Sequence, residues 1–476
     1  MNSHDVGDLA VFFSPRSIAI VGVSRSSRSF GGLSFLARLV NSNFKGSIYP
    51  INPKADEVKG LKAWPDLASL PEKPDLVIVA VPAPRVPAVL EECFRLGIRH
   101  IHILSAGFGE LGTEEGRRLE KTVASIGREK GLFIMGPNCM GPYCPSVGLT
   151  AWGGIPGLDG SVGIISQSGG ITQRLTEYLA SLGAGISKAA SIGNAAVLDS
   201  PDFLEFLGED DHTALIAVYL ESVKDGRRLF DVASRIAPRK PIVMLKGGRT
   251  ERGAATVSSH TGSLAGNQRL WQAFFDQVGV IPVKTMNEWV DVILASSFMP
   301  KPRGKGVFIV GGGGGNSVIY SDFCIEAGLF VPLLSERSME KIRSFVPAAG
   351  SIAGNPLDLW EVYLNLERLF QVLETAYDDP AVEVVLVDRL IPRRAFHSPP
   401  VSDPTERIAE FLSVQKGVKP TVFVIDYDGG DPDLIQKGSA LRANLCRAGI
   451  PAYPSVERAV KALARLCSDT SQRKFS

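Results

Sequence analysis

The sequence predicts an α/β protein built on parallel sheets and divided into three units. Two observations carry this. Apolar, β-branched runs alternate with amphipathic stretches along the whole chain, the pattern of strands crossed over by helices. Small-residue turns rich in Gly and Ser follow several of these runs, as at Gly22–Ser27, Ser166–Gly170 and Gly311–Gly315. A chain of 476 residues also exceeds what one hydrophobic core organises, so several domains are expected.

The first unit, residues 1–150, opens with a strand at Ser17–Val23 and an apolar-periodic helix near Leu33–Val40. Further strands are expected at Ser47–Ile51, Leu76–Val81, His100–Leu104 and Leu132–Met135. The second unit, residues 151–298, begins with a strand at Ser161–Ile165 that closes on Ser166-Gln167-Ser168-Gly169-Gly170 before a helix. Strands at Leu215–Leu220 and Pro241–Lys246 follow. Met299-Pro300-Lys301-Pro302-Arg303-Gly304 reads as a linker, because two prolines and a glycine interrupt regular structure. The third unit, residues 305–470, carries strands at Val307–Val310, Val384–Val387 and Thr421–Ile425.

Charge and composition narrow the function. The formal net charge is +1, so no global basic field points to nucleic acid. No polybasic run suggests a membrane surface, and no apolar run reaches the 18 or so residues of a spanning helix. The polar start, Met1–Asp8, lacks the apolar core of a signal peptide, so a cytoplasmic protein is expected. The six cysteines are scattered and none forms a Cys-x-x-Cys pair, so no metal site is expected.

His260 is the leading chemical candidate. It is one of six histidines and lies in Ser258-Ser259-His260-Thr261-Gly262-Ser263. Glycines let the backbone approach another surface, and small hydroxyls donate to an anion. An imidazole on such a loop suits covalent catalysis, because it splits one hard transfer into two easier ones. The bland alternative is a helix N-cap with an incidental histidine. Glu221, at the carboxyl end of a strand, can hydrogen-bond one imidazole nitrogen and leave the other to attack phosphorus. Its alternative is an ordinary exposed glutamate. Ser166, Gln167, Ser168, Gly169 and Gly170 open a helix with hydroxyls, free amides and the helix dipole, a cradle for phosphate or else a plain cap.

The turn at Gly22 lets backbone amides reach a pyrophosphate, but the spacing is not G-x-G-x-x-G. After the second strand an NAD site wants an acid; here Lys54 follows Asn52 and Pro53. A lysine favours a ligand with an extra phosphate, such as coenzyme A with its 3′-phosphate, unless it is merely a surface residue. Val81-Pro82-Ala83-Pro84, at the carboxyl end of the third strand, is a rigid apolar shelf suited to an adenine ring or else an ordinary strand-ending turn.

Taken in order, these segments resemble the nucleoside-diphosphate-forming acyl-CoA synthetases, relatives of succinyl-CoA synthetase. Val21-Gly22-Val23-Ser24, Tyr49–Lys54, Ser105-Ala106-Gly107-Phe108 and Gly136-Pro137-Asn138-Cys139 resemble that family's CoA-binding domain. Ile165–Gly169 resembles its phosphate-cradling turn, and Ser258–Gly262 its phosphohistidine loop. Glu221 sits where the family places its supporting carboxylate, and Ser335–Pro347 with Asn355–Asp358 resembles its ligase–CoA domain.

The resemblance implies a Rossmann-like CoA-binding domain followed by two flavodoxin-like domains. It implies that Gly22, Ser24, Asn52, Pro53, Lys54, Val81, Pro82, Ala83 and Ser105 bind CoA, and that Asn138 and Asn194 meet substrate. It implies that Ser259, Thr261 and Gly262 join the 166–170 turn in holding phosphate around a phosphorylated His260. No residues remain for an ATP-grasp domain. The implied protein is therefore the α subunit of an ADP-forming acyl-CoA synthetase, working with a separate ATP-grasp β subunit, as in α2β2 ligases. ADP/ATP and Mg²⁺ would belong to that partner; CoA, phosphate and a small carboxylic acid would bind here.

Two departures from the family pattern matter. After Ser191-Ile192-Gly193-Asn194 the family continues Lys-Ala-Asp-Val-Asp, whereas this chain has Ala195-Ala196-Val197-Leu198-Asp199. The glycine-rich turn of the third unit reads Gly311–Gly315 then Asn316 rather than Asn-Ala-Gly-Gly-Pro-Gly. The first bears on the substrate pocket and keeps open a non-catalytic, CoA-sensing regulator as the alternative. The second bears on how the third unit meets its partners. An NAD-dependent dehydrogenase is a third option, opposed by Lys54.

Overall fold

The protein is described from a computed structural model covering residues 6–24, 31–150, 157–261, 268–311, 313–347, 351–389, 403–415, 417–427 and 430–472. At residues 6, 258–261 and 468–472 only the backbone is described.

Three α/β sheets carry the fold. The first uses β1 (Ser17–Val21), β2 (Ser47–Ile51), β5 (Leu76–Val79), β6 (His100–Ile103) and β7 (Phe133–Met135), all parallel in the order β2-β1-β5-β6-β7. A short antiparallel hairpin, β3 (Glu57–Val58) with β4 (Leu61–Lys62), lies between β2 and β5 in sequence. The inner strands are buried on both faces, as the continuous apolar run Leu76–Val79 requires. Chain direction along the sheet reverses at β1, so the crevice for a ligand opens above the carboxyl ends of β1 and β5.

The second sheet holds β8 (Gly141–Tyr143), β9 (Asp159–Ser166), β10 (Ile186–Ser191), β11 (Leu215–Leu220), β12 (Ile242–Lys246) and β13 (Ile281–Val283). Their order is β13-β12-β11-β9-β10-β8. The long strands are parallel, and β8 is added antiparallel at the edge beside β10. Pro142 is tolerated there because an edge strand needs fewer donors. This sheet reverses at β9, so its crevice lies between the ends of β9 and β11.

The third sheet runs β14 (Val307–Val310), β15 (Val384–Asp388), β16 (Thr421–Val424), β17 (Ala452–Tyr453), again parallel. Single parallel bridges from Gly306 to Phe330 and from Val310 to Leu357 extend it beside β14.

Two compact units result. One contains residues 1–180 and 185–284, hence both of the first two sheets; the other contains 181–184 and 285–476. Residues 141–143, within the first domain of the sequence reading, hydrogen-bond in the second sheet. Helix Met286–Phe298, within the second, belongs to the C-terminal unit, where Asp291 accepts a bidentate pair of 2.7 Å bonds from Arg458. The first departure from the family pattern is a packing feature. Ala195 and Ala196 are buried, and Ala196 and Val197 join the core of the first sheet. No described helix is long and apolar enough to cross a membrane.

Candidate functional site

The first crevice is built by glycine. Gly22 follows β1 with φ +96°, and a Cβ there would stand 2.6 Å from the carbonyl oxygen of Ala80. Only glycine lets the β1 turn lie against the β5 turn this closely. The Asn52 side chain fixes the neighbouring turn, donating to the Val23 carbonyl at 2.7 Å and accepting from the Lys54 amide at 2.8 Å. Asn52 thus ties the ends of β1 and β2 together, while Pro53 and Lys54 stay exposed at the rim. Ser24 is exposed beside them.

A cleft of about 510 Å³ opens beside this turn. Val81, Pro82, Ser105, Asn138 and Gly169, all proposed from sequence, line it together with Ala80 and Met140. Ser105 donates to the Val81 carbonyl at 2.5 Å and so braces the apolar shelf. Ala83 does not line the cleft: it is buried, close against Gly107. Gly22, Asn52 and Lys54 do not line the cleft but border the strand ends that form it.

The second crevice brings together residues 55 positions apart. Ser166 ends β9 fully buried, its hydroxyl donating to the Ser168 carbonyl at 2.9 Å and accepting from the Ser168 amide. Ser168 accepts from the Ile171 amide at 3.4 Å and so caps the helix Gly169–Ser181. Gln167 reaches across the strand gap. Its side-chain oxygen accepts from the amides of Glu221 at 2.6 Å and Ser222 at 3.1 Å, and its nitrogen donates to the Ser222 carbonyl at 2.9 Å. Gln167 therefore clamps the Glu221 turn rather than offering its whole amide to phosphate. Gly170 has open space over its Cα, so the helix start stays accessible at that residue.

The Glu221 carboxylate accepts from the Tyr219 hydroxyl at 3.0 Å. Lys246, at the end of β12, is the neighbour that sequence reasoning missed. It is buried, and its ammonium donates to the Glu221 carbonyl at 2.8 Å and to the Gly247 carbonyl. Burial pushes its pKa down to about 8, opposed by Glu221 and assisted by Arg249. The signal was a lysine closing an apolar strand just before two glycines. Burial together with Glu221 raises the Tyr219 phenol.

His260 departs from expectation. The backbone is helical over Glu251–Thr261, so Ser258, Ser259, His260 and Thr261 continue a helix rather than form a loop. Thr250 starts that helix, accepting from the Gly253 amide at 3.1 Å, and Ala254 and Ala255 favour its propagation. The side chains of Ser258, Ser259, His260 and Thr261, and Gly262 altogether, lie outside the described residues. The helix packs against the turn Gly109–Leu111 of the first sheet. From that turn Glu110, with Glu120, accepts from the Asn194 amide nitrogen at 2.6 and 2.7 Å. Asn194 in turn accepts from Asn138 at 3.2 Å. The two predicted substrate asparagines therefore touch, but only Asn138 lines the cleft. Among the described residues no group of three or more His, Cys, Asp or Glu could hold a metal ion.

Residues 16–145 match the family described as CoA binding domain, and residues 159–295 that of the succinyl-CoA ligase like flavodoxin domain. The α subunit of acetate–CoA ligase [ADP-forming] I from Pyrococcus furiosus is 35% identical over 468 residues, covering 96% of this chain and 97% of that protein. The chain belongs to the ADP-forming acyl-CoA synthetase family. Acetate–CoA ligase [ADP-forming] I of Archaeoglobus fulgidus is 33% identical over 456 residues, 95% of this chain but 62% of that longer protein. The solved acetyl-coenzyme A synthetase 1 of Candidatus Korarchaeum cryptofilum, in complex with phosphate and ADP, has a TM-score of 0.84 at 32% identity, covering 98% of each chain. The synthetase fold therefore extends through the third sheet, and the architecture is a Rossmann-like CoA-binding domain followed by two flavodoxin-like domains.

Proposed function

We propose that this chain is the CoA-binding, phosphohistidine-forming α subunit of an ADP-forming acyl-CoA synthetase. One observation carries the reading: the cleft lined by the Val81–Pro82 shelf is lined also by Gly169, the first residue of the helix whose cap turn is clamped to Glu221. A CoA thioester in the first crevice and a phosphate at that helix start would meet within one compact unit.

The chemistry runs in three steps. A phosphate oxygen attacks the thioester carbonyl; the C–S bond breaks, CoA leaves as the thiol, and an acyl phosphate forms. A ring nitrogen of His260 then attacks phosphorus, the P–O bond to the acyl group breaks, and the carboxylate departs. The phosphoryl group finally passes to ADP. Phosphoryl transfer needs positioning and charge neutralisation above all. The amides at Gly169 and Gly170 and the helix dipole supply them for the anion. Glu221 would orient the imidazole and stabilise its cationic form.

ADP and Mg²⁺ are assigned to an ATP-grasp β subunit in an α2β2 assembly. The α-subunit designation of the Pyrococcus relative supports this, as does the additional length of the Archaeoglobus protein. CoA and nucleotide substrates make the cytoplasm the working compartment. The ligase designations of relatives that align along nearly the whole chain favour catalysis over a regulatory role.

The test is ATP formation by the chain co-expressed with an ATP-grasp β subunit. Acyl-CoA, phosphate and ADP should yield ATP and free CoA in equal amounts. A complex that binds acyl-CoA but forms neither product would support the regulator instead.

A further inference from the structure

Met140 lines the same cleft as the CoA shelf and lies against Gly169 of the phosphate turn. Its backbone is fixed. The Met140 amide donates to Ser191 Oγ at 3.3 Å, and the next residue, Gly141, begins β8, paired with Ser191 of β10. Its side chain is half-buried and lines the cleft. The thioether stem lies across Gly169, because a Cβ at that glycine would collide with Met140 Cγ and stand 3.4 Å from its sulfur.

The position has a chemical consequence. The thioester carbon must lie where the thiol end of CoA and a phosphate at the helix start can both reach it. The cleft residues there are Asn138, Cys139, Met140 and Gly169. Asn138 is tied to Asn194, and the Cys139 thiol is buried and directed at the Ile103 carbonyl, 3.7 Å away. Gly169 has no side chain. Met140 alone of these four presents a long, adaptable apolar side chain to the space left for the acyl group.

We infer that Met140 is the specificity-determining residue that sets the length of acyl chain this synthetase accepts. The inference rests on the proposed acyl-CoA reaction. Shortening the side chain lengthens the acyl space, and a rigid ring fills it. An apolar pocket discriminates by about 10–200-fold per methylene, which sets the scale of the expected change.

The experiment measures kcat/KM of the complex with the β subunit for acetyl-, butyryl- and hexanoyl-CoA. Met140→Ala should raise the hexanoyl-to-acetyl ratio by about 10-fold or more, and Met140→Phe should lower the butyryl-to-acetyl ratio by about 10-fold. Affinity for free CoA should stay as in the wild type. A merely structural role would lower all three substrates alike and leave the ratios unmoved, and unmoved ratios in both variants overturn the inference. If Met140→Ala fails to fold, Met140→Val gives the same readout. A wild-type complex that turns over none of the three would sink the proposed reaction itself, and the inference with it; active wild type with unmoved ratios sinks only the role of Met140.

Discussion

Replacing Lys246 with Met separates two opposing effects of one buried ammonium. The wild-type group is buried at the end of β12, with its pKa pushed from 10.5 down to about 8, chiefly by desolvation. Glu221 raises that pKa and Arg249 lowers it. The unfolded chain holds the proton up to about pH 10.5, and the folded chain releases it near 8. Between those values the unfolded state binds more protons, so stability rises with pH across the window. Below pH 8 both states are protonated and the full penalty of burying the charge persists. A shift of this size corresponds to at most ~3 kcal/mol, less where water reaches the ammonium. Met keeps the length of the stem but neither titrates nor donates, so the carbonyls of Glu221 and Gly247 each lose a donor, at ~1–3 kcal/mol apiece. At pH 7 relief of the buried charge and loss of the bonds oppose one another. The pH slope is the sharper observable. Urea unfolding of wild type and Lys246→Met at pH 7, 8, 9 and 10 should show wild type gaining ~2–3 kcal/mol on the variant by pH 10, most of it above pH 8. Titrating groups that do not interact with Lys246 are common to both proteins and cancel in the difference. Stability curves that run parallel through this window would refute the burial argument.

Two further substitutions test the site. Glu221→Gln keeps the size and the contact with Tyr219 but removes the charge that would stabilise an imidazolium; turnover should fall by roughly 100-fold, and unchanged turnover would leave Glu221 a structural residue. Lys54→Glu, at the exposed rim of the β2 turn, should weaken CoA binding by about 1–3 kcal/mol and affect dephospho-CoA much less, measured by calorimetry; indifference of CoA affinity, or tight NAD binding, would overturn the reading of that crevice.

Most of the strands that the sequence revealed are buried on both faces, the edge strand Ser47–Ile51 being an exception. Leu76–Val79, Leu215–Leu220 and Val307–Val310 are continuous apolar runs, and the folded chain uses them as central strands. The strand Ile186–Ser191 escaped notice because Ser187, Lys188 and two alanines dilute its pattern, and Gly141–Tyr143 because it contains a proline. Short edge strands such as Ile281–Val283 have too few residues for a period to emerge. The crevice residues were legible where chemistry follows a strand end directly, as at Gly22, Ser166–Gly170 and Glu221. Lys246 and Met140 were not, because their importance lies in what they approach across the fold: the Glu221 carbonyl in one case, Gly169 in the other. The helix through His260 was obscured for the opposite reason. Glycines and hydroxyls suggested a loop, while the Thr250 cap and the alanines upstream carry the helix to Thr261.

Direct detection of a phosphohistidine tests the central claim. The chain is incubated with acyl-CoA and radiolabelled phosphate, without ADP, and the label is mapped by mass spectrometry under alkaline conditions. The account predicts an acid-labile phosphoryl group on His260 that discharges when ADP and the β subunit are added. It also predicts that His260→Ala retains CoA binding but takes up no label. Label on another residue, or an acid-labile phosphohistidine that persists in His260→Ala, would contradict it.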